Sequence, residues 1–299
     1  MSFEPSYLEL YHTGELENRI NKLVNNLEDC TLCPRKCHVN RNTKYGYCQV
    51  GRNAIVSSYF PHFGEEKPLV GIMGSGTIFF SFCNLGYVFY QNFSISQKGE
   101  GKAVNKIELA EMMLNLKSKG CHNINLVSPS HVIAQIVEAL PIAIEQGLDI
   151  PLVYNSGGYD NPETIKLLDD IIDIYMPDIK YGNNDVAYEF SCAKNYWDIT
   201  KYAVKEMHQQ VGDLIIQDGI AKKGLMIRHL VLPEKQAHSE NIFKFIASEI
   251  SNSTYLNIMD QYHPEHKSDL IPNLNKRVNR KEFMETVTLA QKYGLQRLD

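Results

Sequence analysis

From Gly71 onward, short apolar runs alternate with amphipathic stretches, and this alternation restricts the chain to very few folds. Residues 78–82 are β-branched and aromatic, as expected of a buried strand. Ile107, Ala110, Met113 and Leu114 then mark a helix that stops at Gly120, a good residue just past a helix end. Residues 123–127 read as the next strand, followed by a helix carrying Ile133, Ile136, Val137, Leu140 and Ile144 that ends near Gly147. Residues 151–154 and 170–176 read as strands, with a helix between them that starts at Asn161-Pro162, a cap residue followed by a first-turn proline. A helix over 196–211, a strand over 225–232, a helix over 242–250, a strand over 255–259 and a helix over 279–293 complete the series. Six strand–helix repeats imply an α/β fold with a parallel sheet and right-handed crossovers. No Gly-x-Gly-x-x-Gly follows the first strand, which argues against a dinucleotide-binding fold.

Composition narrows the function classes. At 299 residues and 43% hydrophobic, the chain can bury a large core, so disorder is excluded. A net charge of −5, with both signs interspersed, makes nucleic acid an unexpected partner. No apolar run reaches the roughly 18 to 20 residues that span a bilayer. Met1-Ser2-Phe3-Glu4-Pro5 lacks the basic region and apolar core of a secretory signal. Four of the seven cysteines are closely spaced, more like metal ligands than a disulfide framework, so a cytoplasmic location is expected.

Residues 1–70 differ from the rest and are expected to form a separate unit ahead of a barrel at 71–299. Leu16, Ile20, Leu23 and Leu27 recur at helical spacing and predict a lead-in helix. Residues 30–70 are poor in core residues, and such a segment usually needs a metal or a neighbouring domain. Cys30-Thr-Leu-Cys33-Pro-Arg-Lys-Cys37, with Cys48 eleven residues later, supplies four thiols. Four thiolates suit a tetrahedral zinc ion or an iron–sulfur cluster equally, and their spacing does not choose between the two.

The central loop completes the picture. The strand over 78–82 runs into Cys83-Asn84-Leu85-Gly86, so a thiol is delivered at a strand's carboxyl end. Phe80-Ser81-Phe82-Cys83-Asn84-Leu85 and Gln91-Asn92-Phe93-Ser94-Ile95-Ser96 resemble the radical S-adenosylmethionine (AdoMet) superfamily, within it the group similar to pyruvate formate-lyase activating enzyme. The Cys-x-Leu-Cys-Pro-Arg and Gly-x-Cys of the four-cysteine segment share that resemblance. It implies a partial (β/α)6 TIM-like barrel, a 4Fe–4S cluster, AdoMet, and a 5′-deoxyadenosyl radical acting on a partner protein. The superfamily holds its cluster with Cys-x3-Cys-x2-Cys, and here the loop is degenerate: Cys83 remains, but Tyr87 and Tyr90 stand where the other two thiols belong. Phenols are hard donors and thiolates soft ones, so one Cys and two Tyr do not hold a reducing cubane in the usual way. The Tyr rings are instead expected to fill the emptied cavity.

The other strand ends keep the family's look. Asn125, Ser128 and Ser130 end the second strand, Asn155 and Ser156 the third, Asp178 and Lys180 the fourth, and Arg228 lies on the fifth. By resemblance these residues would bind AdoMet, with Cys83 the surviving cluster ligand and Cys30, Cys33, Cys37 and Cys48 holding a second iron–sulfur cluster or zinc. The degenerate loop also supports another reading: a catalytically silent relative that binds a small molecule or a protein partner, with only the four-cysteine site metallated. A hydrolase or isomerase using Asp178, Lys180 and His263 is a third reading, although a Ser-His-Asp enzyme would need a Gly-x-Ser-x-Gly elbow that is absent.

Overall fold

The computed structural model of the protein describes residues 3–88, 93–265 and 268–299. One mixed sheet of nine strands organises them: β1 (Ala54–His62), β2 (Ser75–Phe80), β3 (Lys102–Val104), β4 (Ile124–Val127), β5 (Leu152–Ser156), β6 (Ile174–Pro177), β7 (Ile215–Gln217), β8 (Ile220–Leu230) and β9 (Tyr255–Met259). The spatial order is β3-β1-β2-β4-β5-β6-β8-β7, with β9 also paired to β8. β2, β4, β5, β6, β8 and β9 are parallel neighbours in sequence order, each followed by helix, so the six expected repeats are present. Among the described residues the sheet does not close; β1 and β3 extend it antiparallel beyond β2.

Local chemistry sets the element ends. The helix Lys106–Ser118 begins in a capping box, where Asn105 accepts from the Glu108 amide and Glu108 accepts from the Asn105 amide. It stops just before Gly120, whose φ of +84° suits a residue without Cβ. Asn161 caps the helix Pro162–Lys166, and Asn279 starts the last helix, Arg280–Lys292, in a second capping box. The expected strand over 170–176 begins only at Ile174, because 167–171 is spent in a turn with Asp170 in the left-handed region. Residues 242–250 divide into Ser239–Phe245 and a single π-helical turn at Ile246–Ile250.

Alternation along each strand separates two faces. Leu126, Tyr154, Tyr175, Ile227 and Leu256 face the helices and join the main core. Val153, Ile174, Met176, Met226 and Tyr255 form a smaller apolar layer on the inner face, together with Leu69 from the segment before β2. Two residues farther along the same strands, the inner face turns polar with Asn155, Asp178, Arg228 and Asn257. The apolar layer is the floor and the polar layer the wall of the site. Burying this much apolar surface, at about 25 cal/mol per Å², is the main force holding the polar wall in place.

Candidate functional site at the strand carboxyl ends

Parallel strands deliver their carboxyl ends to one side, and there a cavity of about 250 Å³ opens among Tyr87, Ser128, Asn155, Asp178, Lys180 and Arg228. Its size lies near the lower bound of about 300 Å³ for small-molecule pockets. Asp178 organises its charges. Arg228 donates through Nε to Asp178 Oδ1 at 2.6 Å and through Nη2 to Asn155 Oδ1 at 2.7 Å. Lys180 Nζ donates to Asp178 Oδ2 at 2.5 Å. Burial alone would raise the Asp178 carboxyl, but Arg228 and Lys180 outweigh it and hold the group below its ordinary value. Glu65 Oε2 lies 3.4 Å and Glu66 Oε1 3.8 Å from Arg228 Nη1. Burial pushes Glu65 above the usual carboxylate range despite that guanidinium.

Backbone geometry fixes the same wall. Gly158, at φ +76°, lies so close to the Asp178 carbonyl that no Cβ could be added. The Tyr196 hydroxyl sits 2.9 Å from Gly157 O and 3.1 Å from Asp178 O, and it accepts from the Lys180 amide at 3.0 Å. One phenol therefore sets the spacing of the third and fourth strand ends.

The expected site residues divide. Ser128, Asn155, Ser156, Asp178, Lys180 and Arg228 share the cavity. Ser130 is turned away into a buried hub, donating to Asp160 Oδ1 at 2.6 Å, while Ser156 donates to Asp160 Oδ2 at 2.5 Å. Asn125 is buried on the inner face one layer below Val127, and among the described residues neither amide atom has a hydrogen-bond partner. Asp160 and Tyr196 were not foreseen as site residues, because each acts on partners that only the fold brings near.

Cys83 and Tyr87 are buried in the loop after β2, and Tyr90 lies outside the described residues. The Leu85 amide donates to Cys83 Sγ at 3.4 Å. The Tyr87 ring lies 4.7 Å from Lys180 Nζ, and its hydroxyl fills the space where a Cβ on Gly157 would stand. A ring thus occupies the loop's approach to the third strand end. With one thiol and phenols, the donor set does not fit a cubane held by this loop.

The four clustered cysteines sit together in residues 30–48. Cys30, Cys33 and Cys48 are buried, and the Tyr47 amide donates to Cys37 Sγ at 3.3 Å. Burial pushes the Cys33 and Cys48 thiols up, and the neighbouring cysteines add to the effect. Four soft donors in one small unit are chemically suited to a metal. Among the described residues no group of three or more His, Cys, Asp or Glu side chains is placed to hold one as it stands. None of the seven cysteines forms a disulfide. Among the described residues no helix is long and apolar enough to cross a membrane.

No protein-family model matches the sequence. Solved structures with a partly similar chain path include native anSMEcpe with bound AdoMet, at 12% identity and a TM-score of 0.47, covering 71% of this chain and 58% of that one. Another is TYW1 with a lysine–pyruvate adduct bound, at 10% identity and a TM-score of 0.45, covering 72% and 73% of the two chains. The protein spans under two thirds of the anSMEcpe chain. A far closer likeness is to the uncharacterized protein MJ0674 of Methanocaldococcus jannaschii, 34% identical over 304 residues that cover 98% of this chain and 83% of that protein. Likeness so nearly end to end means that the chain belongs to the family of MJ0674.

Proposed function

We propose that this protein is a radical AdoMet-type barrel that binds AdoMet, or a small molecule with the same amino-acid end, at its strand carboxyl ends without generating a radical there. The observation that carries the reading is Tyr87, whose ring stands between Lys180 and Gly157 where the family's loop would present a cluster ligand. AdoMet would bring a sulfonium cation and a zwitterionic amino-acid end. Lys180 lines the cavity and is the cation best placed for a ligand carboxylate. Arg228 is fully engaged by Asp178 and Asn155 and acts as the brace of the site. The cysteines Cys30, Cys33, Cys37 and Cys48 hold a zinc ion or an iron–sulfur cluster that ties the N-terminal unit together. A partner protein, if one is used, would meet the same face, because the cavity opens there.

Calorimetric titration of the protein with AdoMet tests the reading. Binding is expected, and Lys180→Ala should weaken it about tenfold, equivalent to about 1.4 kcal/mol. No heat up to millimolar AdoMet would overturn it. Anaerobic reconstitution with iron and sulfide tests the other half. About four irons per chain, lost in Cys30→Ser/Cys33→Ser, or a single zinc without sulfide, would support the reading. About eight irons, half of them lost in Cys83→Ser, would return radical generation to the central loop.

A further inference from the structure

Beside the first cavity lies a second, of about 310 Å³, walled among others by Tyr47, Phe82, Cys83, Tyr87 and Cys192. It gathers two thiols that stand apart from the four-cysteine unit: Cys83 in the loop after β2, and Cys192 at the end of the helix Asn184–Ser191. Cys83 is buried and Cys192 exposed, so an incoming ion would meet one thiol at the surface and the other at depth.

Three segments hold these thiols in place. The Gly86 amide donates to Ser191 O at 3.4 Å and the Val88 amide to Phe190 O at 2.9 Å, so the two thiol-bearing loops are joined directly. Arg35, from between Cys33 and Cys37, clamps both: Nε donates to Asn84 O at 2.9 Å, Nη2 to Ser191 O at 3.2 Å, and Nη1 to Cys192 O. Its guanidinium carbon lies 3.9 Å over the Tyr47 ring that walls the cavity.

The backbone is strained at both thiols. Phe82 has φ +65° immediately before Cys83, and Cys192 itself has φ +48°. A bulky aromatic in the left-handed region is an outlier. Cys192 takes up a helix-end position that glycine or asparagine ordinarily fills.

We propose that Cys83 and Cys192 together bind one soft, thiophilic cation of the monovalent copper class in this cavity, separately from the four-cysteine unit. Two thiolates suffice for such an ion, whereas zinc needs four ligands. Binding releases both thiol protons and leaves one negative charge, bordered by the Arg35 guanidinium. The inference rests on the reading that the central loop holds no cubane, since Cys83 cannot serve both.

The test uses the full chain, reduced and anaerobic, equilibrated with monovalent copper buffered by a chelator, and counts copper per chain. Cys192→Gly and Cys83→Ser should each bind one equivalent fewer than the unaltered protein, and the double variant should also lose one, not two. Cys192→Gly relieves the left-handed strain, so it should melt at or above the unaltered protein, and a lost ion then reports the thiol rather than misfolding. Undiminished copper in either single variant, or a loss of two equivalents in the double, would overturn the proposal. Iron and sulfide assays of the same samples separate the two failures: a cluster that tracks Cys83 overturns the parent reading, whereas unchanged copper without a cluster overturns this inference alone.

Discussion

His229 is buried between two polar partners, Nδ1 lying 2.7 Å from Ile179 O and Nε2 2.8 Å from Ser239 Oγ. Burial pulls its pKa down to about 4, so the neutral ring donates from Nδ1 to the carbonyl and accepts at Nε2 from the serine. The folded-state value is depressed below the ordinary 6.5, so the unfolded chain binds the proton first. Its stabilising effect is complete above about pH 6.5 and is lost as the pH falls towards 4, by up to about 3 kcal/mol. Asp173, pushed up to about 7 by burial, acts with the opposite sign, losing its effect as the pH rises towards 7. His229→Gln isolates the first: urea unfolding across pH 4 to 6.5 should show a stability gap to the unaltered protein that narrows as the pH falls, and a constant gap would refute the assignment. Single residues were legible where chemistry shows in spacing, as in Cys30-x2-Cys33. Arg228 as a brace was not, because its partners lie 50 and 73 residues away in sequence.

Among the elements, the start of the helix at Asn161-Pro162 was legible, since a cap is satisfied by neighbours in sequence. Asn105 and Asn279 also cap their helices, although they were not singled out as caps from the sequence. Asn279→Ala should cost about 1 kcal/mol in chemical denaturation, and Asn279→Asp much less; equal losses would mean that the capping box contributes nothing. The strands β2, β4, β5, β6, β8 and β9 were each foreseen to within a few residues, because a strand buried on both faces is a continuous apolar run. The strands β1, β3 and β7 were missed. β1 is half-exposed towards His62 and carries Pro61, and it is a strand only because its backbone pairs with β2 and β3. The helix Ser6–His12 also passed unseen; it is a short two-turn piece.

For the molecule as a whole, Arg41 shows how the segment bearing the four cysteines is joined to the sheet. It is almost fully buried, and it donates to Val50 O at 2.9 Å, Gly51 O at 3.1 Å and His131 O at 2.5 Å. The first two carbonyls lie just after Cys48 and the third in the loop after β4, so one guanidinium ties the cysteine-bearing segment to the sheet. Arg41→Ala leaves three carbonyls without that donor and should destabilise the protein by about 3 kcal/mol or more. Limited proteolysis should then cut first within residues 30–52; unchanged stability with no new cleavage would show that this segment is held by apolar packing alone.

The sequence by itself determined the alternation of strands and helices, the cap at Asn161 and the close spacing of four thiols, because each depends on neighbours a few residues apart. It also placed Ser128, Asn155, Asp178, Lys180 and Arg228 at strand ends, since parallel connections put those ends on one side. Tertiary structure alone decided which of them meet: Asp178 faces both Lys180 and Arg228, whereas Ser130 turns to Asp160 and Asn125 is sealed one layer down. It also brought Cys192 to the cavity of Cys83 and set the Tyr87 ring against Gly157. Those outcomes depend on sheet register, loop docking and the reach of Arg35 across the chain, and no short-range pattern of residues encodes them.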